Sequence, residues 1–264
     1  MIGGGFQILT CQCWVLQGWN MPSLAAPFWR LYFNLEEGAW IRNQGKRLDF
    51  AGDSIYLIPP DVRGGTGLEA PIRHLFLHFL LDSGNTRSPA LGGWPRKVES
   101  PREIRDLART LALDLEVNPL NESEACPAAH TLLGWALARS GLAARGEQTE
   151  VHPGVARVLS ALHSRHYPAL SNAEMALIAH MSVNGFIRAF SAARGETPQQ
   201  WLRHRRIGLA CQRLVHSGDS IEQIAESLHF ANRFHFSSVF RSVCGTGPAT
   251  WRRKNKSGML KVTD

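Results

Sequence analysis

No stretch of the 264-residue chain stays apolar for the roughly 18 residues that a membrane-spanning helix needs, so no such span is expected. The opening MIGGGFQILTCQCW has neither a basic start nor a recognisable cleavage site, which argues against a secretory leader. Cysteine is sparse. Five residues, an odd number without regular spacing, fit a reducing compartment better than a disulfide framework, and a cytoplasmic protein is the expectation. Acidic residues are scarce in one half only: residues 151–264 carry 15 Lys+Arg against 6 Asp+Glu, a net of +9, whereas residues 1–150 net −2. A basic segment alone reads equally well as a solvated surface or as a phosphate-binding footprint.

What is present decides between these. From Ser171 to Arg253 the same structural unit is written twice. Ala176 and His180 recur as Ala225 and His229 at a period of 49; Phe186, Phe190, Gly195, Pro198 and Trp201 recur as Phe236, Phe240, Gly245, Pro248 and Trp251 at a period of 50. One residue is added in the second turn, and a fixed-period match that includes Gly, Pro and Trp argues duplication. Each copy opens on a capping pair, Ser171 with Glu174 and Ser220 with Gln223. Ile221, Ile224, Ala225 and Leu228 then give one apolar stripe. After a break at Leu228 to Ala231, a second helix buries Phe236, Val239, Phe240 and Val243, matched by Phe186, Ala189, Phe190 and Ala193 in the first copy. Helix, short turn, helix is the helix-turn-helix, whose second helix lies in the DNA major groove. The usual turn glycine is replaced by His180 and His229, and histidine tolerates a left-handed backbone better than most residues. Thr197, Pro198 and Gln200 start a spacer helix running to about Val215, roughly 27 Å long. That is near the roughly 34 Å between successive major-groove faces, so one chain spans two grooves.

At these residues, from about Gly154 through Arg253, the sequence resembles the AraC/XylS family of transcription regulators, with Ile221 to Trp251 and the segment Gly245-Thr246-Gly247-Pro248 as its most specific part. The resemblance implies a DNA-binding domain of two helix-turn-helix units joined by a long helix, over residues 152–256. It also implies double-stranded promoter or operator DNA and RNA polymerase as partners. With Phe186 and Phe190 inward, Ser182, Asn184, Ile187 and Arg188 lie on or beside the outer face of the first recognition helix. Asn and Arg make bidentate contacts to adenine and guanine, and Ile touches a thymine methyl. Arg188 contacts either a base edge or a phosphate. On the second, Asn232, Arg233, His235 and Ser238 face away from the stripe, with Phe234 at their edge. Phe234 cannot hydrogen-bond a base, so this head is expected to be less base-specific and to rely on Arg233, His235 and phosphate contacts.

Within an expected first domain of residues 1–98, residues 20–98 have a different texture: short apolar runs at 28–35, 39–42, 46–50, 54–58 and 72–81, punctuated by Gly, Asn-Gln-Gly, Gly-Asp and Pro-Pro. Such spacing argues a β-sandwich or barrel. Arg42 to Gly45 and Ala51 to Pro60 resemble the cupin-type sensor domain that precedes this DNA-binding domain in many AraC-family regulators. From 99 to 146 the pattern is helical, with Ile104, Leu107, Ala108, Leu111 and Leu115 on one face and a second run around Leu132 to Leu137. These helices pack on the barrel or contact a second copy in a homodimer, and polar Gly146 to His152 reads as the linker. The fold class is thus α+β and multidomain: a cupin-like β-barrel with packed helices, then an all-α domain of two helix-turn-helix units.

An enzyme reading fails on its ligands. Cupin metal sites need a histidine cluster, but no His-x-His is present and Arg63 stands where relatives often have His. Cys11 and Cys13 do not supply the four thiolates of the alkyl-transfer proteins related to this DNA-binding domain, and read as buried small side chains. No catalytic residue, metal or cofactor is assigned. His74 and His78 share one strand face and either line a ligand pocket or are ordinary strand residues. Trp29, Tyr32 and Trp40, read as exposed aromatics, either stack on a small-molecule effector or belong to the core. The resemblance leans slightly to a sugar. The alternative is a regulator whose N-terminal half only dimerises or recruits a partner.

Overall fold

The structure, a computed structural model, describes residues 5–21, 24, 26–43, 45–60, 62, 64–81, 95–117, 126–140, 152–164, 169–257 and 259–261. Except for His152, the expected linker from Gly146 lies outside that set, as does Arg63.

The apolar runs of the N-terminal half form strands: β1 (Phe6–Trp19), β2 (Trp29–Asn34), β3 (Ala39–Asn43), β4 (Lys46–Asp49), β5 (Ser54–Ile58), β6 (Thr66–Leu68), β7 (Ile72–Leu81) and β8 (Arg96–Val98). A larger sheet runs β8-β5-β2-β7-β1 and a smaller one β4-β3-β6, with antiparallel pairing between neighbours. The expected cupin-like barrel therefore takes the form of two sheets facing across a shared core of Leu16, Trp19, Tyr32, Ile41, Phe50, Tyr56 and Phe76. β1 is not among the runs singled out from the sequence, because Gln7, Thr10 and Gln12 interrupt its apolar residues. Cys11 and Cys13 are buried along it, and burial raises both thiol pKa values, that of Cys13 to about 12, as befits small apolar side chains.

β2 is buried at every position because both faces of its sheet are covered. Trp29, Leu31 and Phe33 point away from the smaller sheet, into a core closed by α1 (Arg102–Val117) and α2 (Pro127–Ser140) through Ala108, Leu111, Leu115, Leu132, Leu133 and Ala136. Within the helical 99–146 stretch, α1 and α2 thus pack on the larger sheet. Arg105 and Arg109 fix α1 to the turn before β5 by reaching Asp53 at 3.3 and 2.8 Å; Asp53 itself has a positive φ of 54°.

The C-terminal half is helical: α3 (Pro153–Ser164), α4 (Asn172–Ala179), α5 (Val183–Arg194), α6 (Pro198–His216), α7 (Ile221–Ser227), α8 (Arg233–Cys244) and α9 (Pro248–Ser257). A last strand, β9 (Met259–Lys261), returns to the larger sheet and pairs antiparallel with β1. Among the described residues no helix is long and apolar enough to cross a membrane.

The two halves meet along α6. Ile207, Ala210, Cys211 and Leu214 share one core with Leu9, Phe28 and Leu80 of the sheet side. The Arg205 guanidinium donates to the Leu81 carbonyl, and His78 Nδ1 lies 3.0 Å from Gln212 Oε1. An amide oxygen only accepts, so the imidazole donates there. Gly208 sits over the sheet: a Cβ built on it would meet Leu80 and Leu9 side-chain carbons at 3.5–3.7 Å, ordinary van der Waals contact. Gly208→Ala should therefore stabilise the chain by about 0.5–1 kcal/mol through helix propensity, whereas Gly208→Leu should destabilise it by displacing α6 from the sheet. Denaturant midpoints of the two variants check both signs.

Burial also sets a pH dependence. His74, 2.7 Å from Asn34 Oδ1, has its pKa pulled down to about 3 by desolvation, and His78 lies well below its ordinary value through burial first and the nearby Arg30 charge second. Both folded values are below the unfolded value of about 6.5, so as pH falls through that value the unfolded chain takes up protons that the folded chain does not. Stability is complete above about pH 6.5 and falls below it, approaching about 1.4 kcal/mol per pH unit per histidine. Thermal unfolding at about pH 7 and pH 5.5 should show this drop, and a smaller one in His74→Gln.

Candidate nucleic-acid interface

The first head is built from local signals. Ser171 and Glu174 close a capping box at the start of α4, and His180 ends that helix in the left-handed conformation at φ 54°, its N–H donating to Ala176 and Leu177 carbonyls. Ser182 then caps α5, its Oγ accepting from the Gly185 N–H at 3.2 Å. Phe186 and Phe190 turn inward against Trp201, Met175 and the α3 residues Val155 and Leu162. This leaves Asn184 and Arg188 exposed on the outer face of α5. Ile187, expected on or beside that face, is partly exposed and packs against the core, because the apolar stripe widens to include it. Ser182 also has a helix-capping role that the sequence reading did not assign to it.

The second head repeats the plan with one extra residue. A capping box of Ser220 and Gln223 starts α7, and His229 takes φ 58°, so both histidines occupy the backbone region expected of them. Two steps separate His180 from its cap Ser182, whereas three separate His229 from Asn232. Asn232 Oδ1 accepts from the Phe234 and His235 N–H groups at 3.0 and 2.8 Å, so its amide oxygen is committed to the helix rather than free for a base. Phe236 and Phe240 are fully buried beside Trp251 and Phe230, while Arg233, Phe234, His235 and Ser238 are exposed.

α6 joins the heads over 19 residues, about 28 Å at 1.5 Å per residue, and opens on the Thr197–Gln200 capping box. The basic excess is not all outward. Arg194 and Arg205 are buried, Arg157 donates to the Ala179 carbonyl at 2.7 Å, and Arg252 donates to the Leu214 and Asp219 carbonyls at 3.0 and 2.5 Å. Arg213 pairs with Asp219 at 2.5 Å. Arg188, Arg233 and Arg241 stay exposed on the recognition helices, where a phosphate or base edge can be reached.

The helix-turn-helix domain family matches residues 175–254, both heads and the helix between them. That region of the chain is similar to AraC-like transcription regulators. Over 97 residues the chain is 29% identical to the MmsAB operon regulatory protein of Pseudomonas aeruginosa, covering 37% of this chain and 30% of that one. Over 73 residues it is 37% identical to the HTH-type transcriptional activator RhaS of Escherichia fergusonii, covering 28% and 26%. The chain spans 30–38% of the length of the first curated relatives it matches. The two-part fold is shared with ToxT of Vibrio cholerae O395 bound to (E)-4-(8-methylnaphthalen-1-yl)but-3-enoic acid, at 13% identity, a TM-score of 0.50 and coverage of 95% of this chain and 99% of that one.

Ahead of the helix-turn-helix region, two of the three aromatics read as exposed are buried. Trp29 and Tyr32 are each 1% exposed, because β2 is sandwiched between the helices and the smaller sheet. Trp29 lies on the helix side, away from His74 and His78. Trp40 is partly exposed, but its indole lies against Gly67 and under the Arg42 and Arg47 guanidinium groups at 5.4 and 4.9 Å, so its faces are already occupied. His74 is buried among Trp19, Tyr32 and Phe76. Tyr32 and His78 do border a cavity. With Arg30, Phe76, Gln212 and Trp251 they enclose about 30 Å³ between the sheet and α6, room for a couple of waters. Among the described residues no group of three or more His, Cys, Asp or Glu is placed to hold a metal ion.

The outer face of α5 makes a direct prediction. Arg188→Ala removes an exposed guanidinium that supports nothing in the core, so folding should be unchanged while affinity for the preferred duplex falls by about 1–3 kcal/mol and the preference at one base pair relaxes. Binding titrations on single-base variants check this; a uniform loss on every sequence assigns Arg188 to a phosphate.

Proposed function

We propose that the chain is a cytoplasmic, sequence-specific DNA-binding transcription regulator whose two heads enter successive major grooves and whose N-terminal half governs their placement. The observation that carries this reading is the pairing of two capped helix-turn-helix units by a single helix of about 28 Å. Duplex promoter DNA is the principal partner, with RNA polymerase engaged beside it. A small-molecule effector acts through the N-terminal half, and the space between the sheet and α6 is the place where binding would be felt by both heads at once. A sugar would have to widen the roughly 30 Å³ left there. The alternative, in which the N-terminal half only dimerises, draws support from α1, where Leu113 and Val117 stand one turn apart and are 41% and 77% exposed.

Selection of binding sites from random duplexes with the full chain tests the reading. Two half-sites about one helical turn apart should emerge, with affinity falling steeply as salt rises. The half-site under α5 should be sharply defined and that under α8 less so. Retention of random sequence without enrichment would sink the proposal.

A further inference from the structure

The duplication allows α5 and α8 to be compared position by position at a spacing of 50: Ser182 with Asn232, Asn184 with Phe234, Arg188 with Ser238. At the outward position of the first turn the two copies carry opposite chemistry. Asn184 offers an amide donor and acceptor; Phe234 offers a benzyl ring that is 77% exposed. A ring of this size could fold back onto a neighbouring helix. Instead it stays on the outer face, with the Arg233 guanidinium 5.7 Å from its centre.

The nearest polar side chains to Phe234 in sequence are partly engaged elsewhere. The Asn232 side-chain oxygen holds the N–H groups of Phe234 and His235, and the His235 ring leans on Phe230 with centroids 5.7 Å apart. The leading turn of α8 therefore presents an apolar disc flanked by a cation, where the leading turn of α5 presents an amide. In the major groove the base pairs show donors, acceptors and one apolar group, the thymine C5 methyl. A phenyl ring pressed on a cytosine amino group or a guanine carbonyl strips water without replacing its hydrogen bonds, whereas against a methyl group both partners leave water favourably.

We propose that the second head selects a thymine through contact between the Phe234 ring and the thymine 5-methyl group, with Arg233 holding the adjoining phosphate. This rests on the DNA-binding reading above and gives α8 a specificity that hydrogen-bond inventory would miss.

The test uses the full chain and its selected duplex, with each thymine of the α8 half-site replaced in turn by deoxyuridine, which keeps base pairing and removes only the methyl. Titrations by fluorescence anisotropy compare the unaltered chain with Phe234→Ala. Phe234 supports no core packing, so the variant should fold as the parent does, and its thermal unfolding checks that. One position should exist at which deoxyuridine weakens binding by the unaltered chain about three- to fivefold, the worth of one buried methyl, and leaves Phe234→Ala unaffected. Equal losses in both proteins, or no loss at any thymine, would overturn the thymine contact while leaving DNA binding intact. Absence of salt-sensitive binding to any duplex would instead overturn the DNA-binding reading, and this inference with it.

Discussion

The burial of α6 is the constraint on which the rest of the structure depends. A helix that separates two reading heads needs only to be stiff, and an exposed polar helix would serve. Here α6 is buried on nearly every side: Trp201 and Leu202 complete the core of the first head, Cys211 and Leu214 that of the second, and Gly208 lies against Leu80 and Leu9 of the sheets. The small residue at Gly208 leaves room there for a methyl group but not for a larger side chain, and Arg205 and Gln212 satisfy polar groups across the boundary. One element thus sets the spacing of the heads and their attachment to the N-terminal half. Any change in the sheets that moves Leu80 or His78 is felt by α6 directly.

The two heads are alike in frame and unlike in surface. Both open on capping boxes, both turn on a left-handed histidine, and both bury two phenylalanines against a tryptophan. The differences sit where packing does not constrain the residue. The extra residue after His229 changes the cap from serine to asparagine, and the outward turn changes from amide to ring. The second head also shares its core with Leu9 and Phe28, so its packing reports on the N-terminal half, whereas the first head is closed by α3.

Sequence determined what local chemistry determines. Ser171 with Glu174, Thr197 with Gln200 and Ser220 with Gln223 form capping boxes wherever a helix starts, because donor and acceptor lie three residues apart in the same chain. A left-handed turn needs no partner beyond its own backbone, so His180 and His229 were legible too. The 50-residue period brought the inward phenylalanines and the outward Asn184, Arg188 and Phe234 with it, since helical phase follows from spacing alone.

Tertiary structure decided what depends on the covering of a surface. Trp29 and Tyr32 lie on opposite faces of β2, and alternation tells which residues share a face but not that both faces are covered. Likewise the basic excess of residues 151–264 gave a sign but not a direction: burial and carbonyl partners turn Arg194, Arg205 and Arg252 inward and leave Arg188 and Arg233 outside. The bond between His78 and Gln212 joins residues 134 apart in sequence, and no periodicity carries that information, because it arises only when β7 and α6 are pressed together.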